Sequence, residues 1–335
     1  MSSSGYAKAP FDHAAADIIL RSSDNIDCRF FKLFLSLGSP FFKTLFNIPQ
    51  PTEAGEDQEI KDGLAVVPVT EDSKTLDALL RFCYPCTLAE DPIIEELKDA
   101  LDILEAAIKY SLDVIEKKAR QAITNPQILA AEPMRCFAIA HRGRLLEETL
   151  LAAKSTLTQP LIPSWFQEIE LITATDLLWL LTYHLRCGEA VYALRLDLSW
   201  ITFHYGSLQA SSWMAGIAVY DSYGDHDNCG CARPAMFRYR LYNASPKWWE
   251  DLMEETFTAL RDKPCKETVQ ASAEKTVQTV KAQHCSVCSP KVTEGMHNFV
   301  DFFTRKIDET VSQVSCPPWM SESLINSEGF LGRSS

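Results

Sequence analysis

At 335 residues, with 46% hydrophobic and 23% charged side chains, the chain has the length for two domains, each with its own core. A net charge of −13 argues against a surface for nucleic acid or anionic membrane, because both need clustered Lys and Arg. The first ten residues hold no apolar h-region and the apolar run 177–181 is far too short to span a bilayer. The expected compartment is therefore the cytoplasm or nucleus. There the eleven cysteines read as free thiols or metal ligands, not as a disulfide framework.

Residues 1–15 read as a disordered start. Residues 16–20 and 26–31 are β-runs separated by the turn formers Ser22, Ser23, Asp24 and Asn25, which predicts a hairpin. From Lys32 the period lengthens toward a helix. Ser39 and Pro40 then restart it as N-cap and first-turn proline, with Phe41, Phe42, Leu45 and Phe46 on the apolar face. Residues 47–63 form an acidic loop, and residues 64–69 a third strand whose Pro68 confines it to an edge or a strand end. Helices are expected to open at Asp72-Ser73 and at Asp91-Pro92, with Ser111 capping a further one. Beyond Asn125 the pattern turns helical: 126–140, 145–157, 164–170 and 174–203, with breaks at Pro133, Gly143, Pro160 and Pro163, then 248–260, 265–282 and 292–314. A looser stretch at 206–243 interrupts the series, and a tail follows from Cys316.

The ordered blocks Asp17-Ile18-Ile19-Leu20, Phe34 to Phe42, Val66 to Val69 with Thr75 to Tyr84, and Leu101 to Tyr110 resemble the BTB/POZ fold. More narrowly, Phe46 to Pro51 and Tyr84-Pro85-Cys86 resemble the fungal BTB-domain proteins. The resemblance implies an α+β BTB/POZ domain over 16–125; the helical pattern beyond it reads as a helical extension over 126–160 and a mainly α-helical C-terminal domain over 161–315, with a flexible tail over 316–335. The resemblance also implies a non-enzymatic interaction scaffold or adaptor that forms a homodimer or pairs with other BTB proteins, with a cullin as a further expected partner. Phe31 stands where the family usually has His. The long N-terminal extension that strengthens dimers is not matched, so self-association is expected to be weak. The hydrophobic-x-glutamate element of cullin-binding members has no clear counterpart in residues 47–63.

Two sets of residues are candidates for function. Phe34, Phe41, Phe42, Leu45 and Phe46 are either one small core or an aromatic interface. Cys229, Cys231, Cys285 and Cys288, with His226 competing for the first pair and His284 as a spare donor, have spacings suited to a tetrahedral structural zinc. Two predicted helices lie between the pairs. If these run antiparallel, a zinc would clip their outer ends together. The plain alternative is ordinary thiols beside a loop. No nucleotide-binding, nucleophile-elbow or zinc-protease motif occurs, and the isolated His13, His141, His184, His204 and His297 read as surface or core residues. The rival to a scaffold is a zinc-dependent enzyme, or a zinc-bound regulatory protein of the transcription-associated kind, built on the C-terminal half.

Overall fold

The computed structural model describes residues 5–48, 59–160, 162, 164–205, 247–284 and 288–314. The chain divides into two compact units: Met1–Ala152 with Phe166–Leu171, and Ala153–Trp165 with Ile172–Ser335.

The first unit is built on a sheet in the order β1-β3-β2-β5-β4. Strands β2 (Ile18–Arg21) and β3 (Ile26–Phe30) form the expected hairpin, with Ile19 opposite Arg29 and Leu20 opposite Cys28. Asn25 turns the chain at φ 64°, and the Ser22 hydroxyl accepts from the Ile26 N–H at 2.9 Å. Strand β5 (Leu64–Pro68) lies parallel to β2 with Val66 opposite Ile19, and Pro68 falls at its end, where a missing N–H does no harm.

Two short strands depart from the expected pattern. β1 (Gly5–Tyr6) pairs in parallel with β3, and Phe11 is buried at 1% exposure, so residues 5–15 are not the disordered start expected from composition. An apolar anchor outweighs the polar, small-residue surroundings. β4 (Ile60–Lys61) lies inside the expected acidic loop and turns into β5 through Asp62 and Gly63, at φ 52° and 77°. Two successive positive φ values in a two-residue loop are what an Asp-Gly hairpin supplies.

Helix α1 (Lys32–Gly38) is followed at once by α2 (Pro40–Asn47). α3 (Ser73–Cys83) begins as expected, because the Asp72 side chain accepts from the Thr75 N–H. α4 (Leu97–Lys109) starts later than Asp91-Pro92 suggested, and residues 91–96 are not helical. Ser111 does not cap α5 (Asp113–Ile123). It sits at φ 53° and closes α4, with the Leu112 N–H bonded to the Ala107 carbonyl at 2.8 Å. Helices α6 (Pro126–Ala131), α7 (Pro133–Arg142) and α8 (Leu146–Thr156) follow, broken at the expected Pro133. The core gathers Ile18, Ile19, Leu20, Phe30, Leu35, Leu79, Leu104 and Ala107.

In the second unit the single helix expected over 174–203 is two, α9 (Ala174–Ala193) and α10 (Ser199–Tyr205). A 3₁₀ turn at Leu194–Leu196 separates them, and the Asp197 carboxylate accepts from the Ser199 N–H at 2.8 Å to start the second. Helices α11 (Lys247–Asp262), α12 (Lys266–Ala282) and α13 (Cys288–Ser312) complete the described part of this unit. α11 packs on α9 and α12, and α13 packs on α12 and α9, so the four close into a bundle. Its core is aromatic: Trp249 lies 4.9 Å from Phe299, and Phe257 lies 5.5 Å from Phe303. At Gly188 α9 touches backbone, since a β-carbon there would fall 2.2 Å from the Arg261 carbonyl oxygen. One turn earlier the buried His184 ring meets the Asp262 carbonyl at 2.8 Å. Among the described residues no helix is long and apolar enough to cross a membrane.

Candidate interaction surface

The pivot between α1 and α2 is a single residue. Ser39 is fully buried; its hydroxyl accepts from the Phe42 N–H at 3.1 Å and donates to the Tyr110 carbonyl at 2.5 Å. The Ser-Pro-Phe-Phe block and the Lys-Tyr block, 71 residues apart, are thus joined by one buried side chain. Tyr110 is fixed at its other end as well, its hydroxyl donating to Glu71, which also receives the Lys109 ammonium at 2.8 Å. Burial pushes the Glu71 carboxyl up, but the bonds from Lys109 and Tyr110 outweigh this and hold it below its ordinary value. Burial and the Glu71 bond together push the Tyr110 phenol well up.

Against this rigid base the five aromatic and apolar candidates separate. Phe42 is a core residue, stacked on Tyr110 at 5.0 Å and on Phe46 at 5.8 Å. Phe34, Leu45 and Phe46 are half-buried, and Phe41 is 42% exposed. Phe34 belongs to a cluster with Phe30, Phe31 and Tyr84, in which Phe30 and Tyr84 are 4.4 Å apart. Phe31, in the place of the family's usual His, joins that cluster through Phe34 and Tyr84, and His13 packs against it at 5.4 Å.

The most exposed apolar side chains of α1 are two that the aromatic pattern did not single out. Leu33 and Leu37 are 62% and 76% exposed, one helical turn apart, while Leu35 faces the core. The four-residue spacing of Leu33 and Leu37 was the available signal, masked by the more conspicuous phenylalanines.

A polar staple holds the sheet beside this surface. The Asp27 carboxylate, with no exposed side-chain surface, receives Arg21 through two bonds of 2.6 and 3.1 Å and Lys61 at 2.6 Å. Burial raises the Asp27 carboxyl, and the two cations more than reverse that, leaving it below its ordinary value. The Tyr6 hydroxyl donates to Asp62, which also pairs with Arg29, and Lys61 stands 4.1 Å over the Tyr6 ring.

The zinc candidates His226, Cys229, Cys231 and Cys285, together with the Cys288 side chain, lie outside the described residues. Among the described residues no three His, Cys, Asp or Glu side chains are grouped to hold a metal.

Residues 8–127 match the family model for the BTB/POZ domain. The chain therefore carries a BTB/POZ domain at its N-terminal end, an interaction domain by family, followed by a mainly helical region. No curated protein matches the chain.

Proposed function

We propose that the protein is an interaction scaffold whose BTB/POZ domain joins a second copy, or the BTB domain of a partner, through the outer face of α1. The observation that carries this reading is the Leu33–Leu37 pair, both mostly exposed on one face of a short helix that stands on a rigid base. Two large aliphatic side chains left in water side by side gain about 1.5–3 kcal/mol each when covered. Light scattering over a dilution series tests it. The full chain should show a concentration-dependent dimer, and the double variant Leu33→Asp/Leu37→Asp should be monomeric, melting where wild type melts when diluted below its dissociation constant. A wild-type monomer at high concentration would end the self-association form and leave only pairing with another BTB domain. Recruitment of a cullin is its finer form, supported by family membership alone. Co-elution with a purified cullin N-terminal region tests it, and separate elution ends it.

A second reading concerns the helical half. Its support is the pairing of α11 with α12: Lys247 and Trp248 from the start of one meet Val280 and Gln283 from the end of the other, around a cavity of about 100 Å³. Glu255 and Lys275 pair midway along at 2.6 Å, so the two helices run antiparallel. Those ends flank, in sequence, the proposed zinc ligands Cys229, Cys231, Cys285 and Cys288, with His226 as the alternative to one of the first pair. A structural zinc there would brace the bundle. Metal analysis of the purified chain should then find one zinc, lost together with stability in Cys285→Ser/Cys288→Ser. Zinc retained with little loss of stability would favour an open, catalytic or regulatory site instead, and metal-free protein would rule out both.

A further inference from the structure

We infer that Asp17 positions α1 for association, an inference that rests on reading α1 as the docking face. Helix α1 has seven residues, of which only Leu35 is buried, and a helix of that length is not stable by itself. Its own N-cap residue, Phe31, has no side-chain oxygen to offer, and no acidic residue lies in its first turn. The cap comes instead from a distant point in the chain. Asp17, 15 residues before Lys32, accepts from the Lys32 N–H through Oδ1 at 2.7 Å. Asp17 is itself held, its N–H donating to the Phe30 carbonyl at 3.1 Å, so the carboxylate is tied to the β2–β3 hairpin. At the opposite end the Ser39 N–H closes the helix on the Leu35 carbonyl at 2.9 Å.

Leu33 follows the capped residue directly, so fraying from the N-terminus displaces this docking side chain first. Without Asp17 the free domain would carry a loosened α1, and its reordering would oppose association. A docking helix is thus set by the sheet it stands on rather than by its own sequence, with the aromatic Phe31 left free to pack into the Phe34–Tyr84 cluster.

The test compares Asp17→Ala and Asp17→Asn in the full chain, with Leu33→Asp/Leu37→Asp as reference, reading the dimer dissociation constant well below the melting temperature. Asp17→Ala should raise that constant about three- to tenfold, the size of one lost cap. Asp17→Asn keeps an accepting oxygen and should stay within about twofold of wild type. A purely structural role would lower the melting temperature and leave the dissociation constant where it was, and that result overturns the inference. Equal weakening by Asn and Ala also overturns it, since the cap would then not be the cause. If Leu33→Asp/Leu37→Asp leaves association intact, the docking face itself is refuted. Hydrogen exchange at the Lys32 amide, which Asp17→Ala must accelerate if the cap is real, keeps the two failures distinguishable.

Discussion

The two halves of this chain are held together by different kinds of force. In the BTB/POZ unit, distant segments are fixed by directional bonds at single residues: Ser39 to Tyr110, Tyr110 to Glu71, Asp27 to Arg21 and Lys61. In the helical unit most of the corresponding work is done by contact, with Trp249, Phe257, Phe299 and Phe303 filling a bundle whose helices close to backbone distance at Gly188, and the His184–Asp262 bond is the buried directional exception. Directional bonds demand particular residues at particular places, whereas packing tolerates many solutions of similar volume.

All tryptophans lie beyond residue 164, so their fluorescence reports on the chain outside the BTB/POZ domain. Phe303→Ala should have the largest effect, about 4 kcal/mol on the second unit, seen as an early fluorescence transition with β2–β3 amide exchange unchanged. Asp27→Ala should cost the first unit about 3 kcal/mol, since it removes the buried carboxylate that both Arg21 and Lys61 reach, and here the fluorescence transition should stay in place. If either variant melts both units alike, the separation into two kinds of stability is wrong. Gly188→Ala should cost about 2 kcal/mol, because the obstacle is the Arg261 backbone and cannot swing aside. A silent substitution would mean that α9 and α11 do not approach as closely as described.

The smallest effect is one of pH. Burial holds His184 below its ordinary value, so the folded unit favours the neutral ring. Its contribution is complete above about pH 6.5 and is lost as pH falls further. Asp27, held below its ordinary value, contributes fully above about pH 4 and weakens only as pH falls through its lower folded value. Mild acid, between about pH 6 and 5, should therefore soften the fluorescence-detected unit first, and His184→Gln should flatten that response. A titration with the opposite order would mean that His184 is not the sensitive group.

Much of the N-terminal fold was legible. The β2–β3 hairpin, the Ser39 cap with Pro40 behind it and the Asp72 cap all follow from local residue chemistry, and each stands where the residues put it. Errors arose where tertiary contact decided the matter. Phe11 orders a segment whose neighbours look structureless, and Ser111 closes one helix instead of opening the next. The Asp62-Gly63 dipeptide was readable as a hairpin, but the acidic residues around it suggested a loop. The expected break at Gly143 is real, yet the left-handed residue is Arg144, and Gly143 has an ordinary φ of −72°. For the interaction surface, composition pointed to phenylalanines, which turn out to be partly foundation, whereas exposure picks out Leu33 and Leu37. Glu71 and Asp17 carried no local signal, since their roles exist only once residues distant in sequence are brought together.

Strands β1 and β4 are the two outermost strands of the sheet, and yet Tyr6 of one is bonded to Asp62 beside the other and roofed by Lys61. The sheet is in effect buttoned across its own margins. On the proposed docking through α1, two copies would meet as finished bodies, each keeping β1 paired within itself. Subunits so joined would part and re-pair without either one unfolding. Mixing two differently labelled populations should scramble them on the timescale of simple dissociation, and loosening the button with Tyr6→Ala should leave that rate unchanged.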